Sequence, residues 1–137
     1  MEKYLQISKL YFALDDPGYA SPWIEQALPM KDECENQQLL LEFELIFAKH
    51  LDFSRKFLQA ATFYYKCANK MQGFPGVELN DILEVLSCAV VSAILGAAGP
   101  QRSRILAQLY KDERVRGIEI FDILEKMYSN IILFFNF

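Results

Sequence analysis

The sequence predicts an all-α fold of stacked helical hairpins, with about seven helices and no sheet. Three observations predict it. Apolar residues recur at helical spacing along nearly the whole chain, and no period-two strand pattern interrupts them. Turn-forming clusters at Asp15-Asp16-Pro17-Gly18, Pro29, Asp52-Phe53-Ser54 and Gly73-Phe74-Pro75-Gly76 cut the chain into helix-length pieces. The middle helices are apolar on nearly all sides, which requires cover on more than one face.

Taken in order, the first hairpin runs from an apolar helix ending at Ala13-Leu14, through the Asp-Asp-Pro-Gly turn, into a helix carrying Ala20, Trp23, Ile24 and Ala27. Leu39, Leu40, Leu41, Phe43, Leu45, Ile46 and Phe47 follow, with only Glu42 and Glu44 as charges among them. The second pair runs from Leu51-Asp52 into Ala60, Phe63, Tyr64 and Cys67. Counted from Phe57, the residues Ala60, Ala61, Tyr64, Ala68 and Met71 fall at i+3, i+4, i+7, i+11 and i+14, one continuous stripe. Ala20 and Ala60 stand 40 residues apart, close to the period of helical-hairpin repeats, so the predicted architecture is a tetratricopeptide-like α-solenoid. Ile82, Leu86, Ala89, Ala93 and Ala97 form a further stripe whose small members permit close helix approach. Gly99-Pro100 stops one helix and starts another, which carries Ile105, Leu106, Leu109 and Tyr110. Gly117 breaks the chain before Ile120, Ile123, Leu124, Met127 and Tyr128. The final run, Ile131-Ile132-Leu133-Phe134-Phe135-Asn136-Phe137, reads as a β-prone apolar tail in need of cover.

A chain of 137 residues is expected to form one domain. Its 53% hydrophobic and 23% charged residues exclude a disordered or low-complexity chain. With 14 basic against 18 acidic residues, the balance argues against a general affinity for nucleic acid or anionic lipid. Cys34, Cys67 and Cys88 are an odd number without metal-ligand spacing and read as small buried hydrophobes in a reducing compartment. The opening Met1-Glu2-Lys3-Tyr4-Leu5-Gln6 lacks the pattern of a signal peptide. The uncharged run from Val85 to Gln101 is too short and too broken by Ser87, Ser92, Gly96 and Gly99 to span a membrane, and reads as a fully buried helix.

Chemistry finds little to work with. A hydrolytic zinc site needs several converging ligands, and His50 is the chain's one histidine. One helical turn from Ile46 and Phe47, it reads as a structural imidazole. Gly96-Ala97-Ala98-Gly99 has the small residues of a phosphate loop but neither the following Lys-Ser/Thr nor a preceding strand. Asp15-Asp16 and Asp112-Glu113 read as solvated or helix-capping carboxylates. The expectation is therefore no catalytic residue, cofactor, metal or small-molecule substrate. One segment departs in charge: Arg102, Arg104, Lys111, Arg114 and Arg116 stand against Asp112 and Glu113, while the remainder of the chain carries nine basic and sixteen acidic residues. Such a strip is either a surface whose Arg forks grip a partner's carboxylates or a solvated face that suits a helix C-terminus.

The string from Gly99 to Arg114, Gly-Pro-Gln-Arg-Ser-Arg-Ile-Leu-Ala-Gln-Leu-Tyr-Lys-Asp-Glu-Arg, closely resembles the subunit-four family of the COP-nine signalosome. Leu10-Tyr11-Phe12-Ala13-Leu14-Asp15-Asp16-Pro17, Arg55-Lys56-Phe57-Leu58-Gln59-Ala60-Ala61 and Ile123-Leu124-Glu125-Lys126-Met127-Tyr128 are similar to its helices as well. The resemblance implies a non-catalytic scaffold subunit of a nuclear and cytoplasmic complex that removes the ubiquitin-like protein Nedd8 from cullins. Its expected partners are the other signalosome subunits and cullin–RING ligases, with no nucleic acid or membrane. It further implies that residues 1–128 are a helical-repeat domain leading into the start of a PCI domain, and 129–137 a divergent apolar tail. On that reading the chain is the middle of a longer protein cut at both ends, and zinc isopeptidase chemistry belongs to another subunit. Arg102, Arg104, Lys111 and Arg114 become candidates for a protein interface. The alternative is a generic tetratricopeptide-like module that binds a peptide in its concave face.

Overall fold

The computed structural model describes residues 2–14 and 17–135, the side chains of Phe12, Pro17 and 131–135 excepted. Its elements are all helical. Seven α-helices are described: α1 (Glu2–Ala13), α2 (Ser21–Ala27), α3 (Gln37–Phe53), α4 (Phe57–Met71), α5 (Leu79–Leu95), α6 (Pro100–Lys111) and α7 (Phe121–Phe135). Single 3-10 turns at Pro17–Tyr19, Leu28–Met30 and Val115–Gly117 complete the described secondary structure. The expected Asp15-Asp16 turn and the last two residues of the expected tail lie outside the described residues. The contacts divide the chain into two compact units, Met1–Lys56 and Phe57–Phe137.

In the first unit, α1, α2 and α3 enclose Leu5, Ala20, Ile24, Ala27, Phe43 and Ile46, with Tyr4, Tyr11, Leu39 and Phe47 packed around them. Tyr4 stacks on Trp23 at 6.3 Å between ring centroids, and Phe43 on Phe47 at 5.9 Å. An ion pair between Lys9 and Glu42 at 2.9 Å ties α1 to α3 across the surface. Glu44, one of the two charges in the apolar run of α3, is buried, with the Lys31 ammonium 3.8 Å away.

α3 is defined by its two ends. The Asn36 side-chain oxygen accepts from the N–H groups of Gln38 and Leu39 at 3.1 and 3.2 Å, satisfying two donors that a helix start leaves open. At the other end Lys56 N–H reaches the Leu51 carbonyl at 2.9 Å and Arg55 N–H the Asp52 carbonyl at 3.0 Å, the paired bonds of a Schellman motif. That motif places Arg55 at φ 63°, a left-handed conformation normally given to glycine.

The second unit is organised around a helical hairpin, α4 with α5. Ala60, Ala61 and Ala68 on α4 and Ala89 and Ala93 on α5 are wholly buried. The two helices run antiparallel, because Gly96, just past the end of α5, sits against Leu58 in the first turn of α4. α6 adds Ile105, Leu106 and Leu109 to the core, and Leu124 of α7 joins them. Tyr110 stacks on Tyr128 at 4.2 Å and on Phe121 at 5.7 Å, joining α6 to α7. The turn before α5 needs Gly76 at φ +82°.

Four local expectations are corrected. The helix read as fully buried is not, since Val91 and Leu95 on α5 are 41% and 56% exposed and Cys88 on the same face is exposed too. Buried and exposed positions alternate every turn on α5, so a run without charges still has an outer side. Ala97 lies beyond the end of α5 and is exposed, leaving the stripe at Ala93. Of the three cysteines only Cys67 is buried, and Cys34 lies outside any helix. Finally, α7 runs on through Phe135, so 131–135 are helical rather than extended. A helix already started gains a bond for each added residue without a new nucleus, which overrides β-propensity.

Two substitutions test this packing. A Cβ at Gly96 would lie 2.4 Å from Leu58 Cδ2 and 2.7 Å from Leu58 Cγ. Gly96→Ala is expected to destabilise the chain by about 1–3 kcal/mol, and by less in a Leu58→Ala background, as read from urea midpoints. Arg55→Gly relieves the left-handed Arg55 and is expected to stabilise by about 0.5–1 kcal/mol; an unchanged or lower midpoint contradicts it.

Candidate interaction surface

α6 opens at Pro100, where the missing N–H costs nothing, and Ser103 Oγ donates to the Gly99 carbonyl at 3.1 Å. One side of the helix is buried through Ile105, Leu106 and Leu109. Gln101, Arg104, Gln108 and Lys111 are left exposed at i, i+3, i+7 and i+10. The basic residues of this segment therefore divide into two that turn inward and others that turn out.

Arg102 turns inward. Its Nη2 donates to the Ile94 carbonyl at 3.1 Å and lies 4.0 Å from Met127 Sδ. Ile94 is in the last turn of α5, where carbonyls lack helical partners, so the guanidinium serves as a side-chain cap and braces α5, α6 and α7 together. Its Nε is buried without a partner, which marks the bracing as geometrically imperfect.

Arg114 is absorbed more completely. Its Nε and Nη2 hold both Asp112 carboxylate oxygens at 3.0 and 2.7 Å, while its backbone N–H donates to Asp112 Oδ1 at 3.0 Å. Nη1 donates to Gln72 Oε1 at 2.8 Å and Nη2 to Asn69 Oδ1 at 2.7 Å. Tyr65 Oη donates to Asp112 Oδ2 at 2.9 Å. The result is a clasp from the end of α6 onto α4. Its charged pair is mostly shielded, with side-chain exposures of 18% and 10%. The Arg114 hydrogen bonds hold the Asp112 carboxyl below its ordinary value, against the opposing effect of burial. Burial, then the bond to Asp112, pushes the Tyr65 phenol up.

Asp112 is thus no solvated carboxylate. It accepts from the Arg114 backbone N–H just before the 3-10 turn that follows α6, and also organises the clasp. Sequence spacing gave one hint, an Asp two residues before an Arg at a helix end. Tyr65, Asn69 and Gln72 are 40 or more residues away from Arg114, and no local pattern points to them.

Arg104 and Lys111 point outward and make no hydrogen bond or ion pair among the described residues. Arg104 lines a groove of about 200 Å³ between α6 and α4, together with Gln101, Gln108, Thr62, Tyr65 and Lys66. Lys66 was not distinguished by the sequence. Its ammonium stands 5.8 Å from the Phe63 ring centroid.

His50 is packed against Phe47 at 6.3 Å between centroids, and its Nδ1 is buried without a hydrogen-bond partner. Burial lowers its pKa, with Glu25 acting in the opposite direction and Lys56 in the same one. The ring is a neutral packing element near pH 7. Among the described residues no three His, Cys, Asp or Glu side chains gather as metal ligands, and no helix is long and apolar enough to cross a membrane.

The clasp makes a pH-dependent prediction. Because folding lowers the Asp112 pKa from its ordinary 3.8, its contribution is present above that value and is lost as pH falls through the lowered one. Asp112→Asn is expected to cost about 1–2 kcal/mol near neutrality, a figure discounted for partial exposure. The gap to the wild type should narrow as pH falls below the ordinary carboxylate value of 3.8 and close once the lowered pKa is passed, as followed by urea denaturation across acidic pH.

No protein-family model matches the chain. Individual proteins do. It is 40% identical over 136 residues to COP9 signalosome complex subunit 4 of Arabidopsis thaliana, which covers 97% of this chain and 34% of that protein. It is 39% identical over 130 residues to the Dictyostelium discoideum subunit 4, covering 95% and 32%, and 35% identical over 130 residues to that of Drosophila melanogaster, covering 95% and 31%. The chain thus spans about a third of the length of the curated relatives it matches. Along nearly all of its own length, the chain is similar in sequence to the subunit 4 proteins of the COP9 signalosome.

Proposed function

We propose that the chain acts within a COP9 signalosome subunit 4 as a helical scaffold segment that works by protein–protein contact and carries no catalytic group. The observation that carries this reading is similarity to subunit 4 proteins over 97% of the chain, at 40% identity. The side chains agree with it. The polar groups best placed for chemistry are tied into structure, as Asp112 and Arg114 are in the clasp, or packed away, as His50 is on Phe47. On this reading the signalosome subunits are direct neighbours, cullin–RING ligases are clients, and removal of Nedd8 from cullins is the process supported, in nucleus and cytoplasm. Arg104 and Lys111 are the outward members of the proposed interface. Arg102 and Arg114 shape it from behind by fixing α6 against α5 and α4.

Tagged chain, and a form extended to the length of its relatives, are expected to retain signalosome subunits when purified from cells at moderate salt. Recovery of none of them with either form defeats the proposal. Arg104→Glu combined with Lys111→Glu is expected to weaken retention several-fold without loss of helicity, because exposed cations matter chiefly through charge complementarity.

A further inference from the structure

Resting on the reading that the chain works through protein contacts, we propose that the groove between α4 and α6 receives an acidic segment of a partner polypeptide. Its ionic lining is cationic throughout. Lys66 enters from α4 and Arg104 from α6, with no carboxylate among the lining residues. The chain as a whole carries a net charge of -4, so the groove is opposite in sign to its surroundings and selects for acidic groups. Asp112, which accepts from the lining residue Tyr65, is already held by both Nε and Nη2 of Arg114.

The Arg104 fork is exposed and without an internal partner, which leaves its donors open to a carboxylate. Gln101 and Gln108 flank it with amides on the same helix face, and Lys111 extends the line by one turn. Ile105, at the base, gives the methylene groups of a glutamate an apolar seat. A nucleic-acid strand fits less well. A phosphate track needs a longer run of cations and stacking platforms, and the one aromatic lining this groove, Tyr65, is half-buried with its hydroxyl committed to Asp112.

Exposed ion pairs are individually weak, so the test reads graded changes in affinity. Fluorescence anisotropy on the full chain uses a labelled Glu/Ala peptide of about a dozen residues, with a Gln/Ala peptide and an RNA strand of similar length as comparisons. Binding of the Glu peptide is expected, weakening with added salt, and Lys66→Glu with Arg104→Glu is expected to reduce it by about tenfold or more. A Lys/Ala peptide should bind the reversed variant better than the original chain. Arg116→Glu, a reversal at an exposed cation outside the groove, should leave the affinity unchanged; far-UV circular dichroism confirms that each variant is folded.

Equal binding of the Gln peptide, preference for the RNA, or indifference to the Lys66/Arg104 reversal overturns the inference. Retention of signalosome subunits is scored on the same preparations. Retention without groove-dependent peptide binding removes the groove and leaves the assembly reading standing. Groove-dependent binding without retention supports the groove and removes the assembly reading.

Discussion

The close approach of α4 and α5 sets the geometry of the second unit. Two helices approach closely where small side chains leave room at the seam. Ala60, Ala61 and Ala68 meet that condition on α4, Ala89 and Ala93 on α5, and Gly96 where the hairpin closes on Leu58. Because the seam is tight, the carbonyls at the end of α5 are held where Arg102 reaches Ile94 from α6. α6 then runs alongside α4 in the same direction, and the Arg114 clasp closes the far end on Asn69, Gln72 and the Asp112–Tyr65 pair. The outward row on α6 is a consequence of these fixings. Its exposed residues are those left over when Ile105, Leu106 and Leu109 have been turned to the core.

Charge is divided by the same geometry. Five basic residues crowd one segment, yet they have at least two physical uses. Arg102 and Arg114 satisfy carbonyl, carboxylate and amide oxygens inside the unit, where a planar guanidinium makes several bonds in a fixed plane. Arg104 and Lys111 remain in solvent, where a charge contributes little to folding and is available to another surface. The one use fixes the placement of the helix, and the other leaves cations free on it.

The periodicity of the sequence carried the all-α fold and several element boundaries with it. The stripe from Ala60 to Met71 on α4 is buried as its spacing requires, Gly99-Pro100 marks the start of α6, and Ile105, Leu106 and Leu109 face inward together. These features depend on neighbours within one or two turns, and local spacing determines them. The string from Gly99 to Arg114 likewise pointed to the family by itself. Where local pattern failed, a neighbour from elsewhere decided. α5 has no charge from Val85 onward, yet leaves Val91 and Leu95 exposed, since which face is covered depends on where α4 and α6 lie. Glu44 carries a charge and is buried all the same.

What the sequence by itself determined, then, is the helices, their breaks and the likeness to the subunit 4 proteins. Each follows from residues near one another along the chain. Tertiary structure alone decided which of the crowded cations brace the unit and which face solvent. It also set Lys66 and Arg104, from two helices, along one groove and made Asp112 the centre of a clasp. The clasp depends on donors and acceptors separated by 42 to 47 residues that meet only after α4 and α6 have packed. Hydrogen-bond distance is a property of that packing, and no periodicity in the chain encodes it.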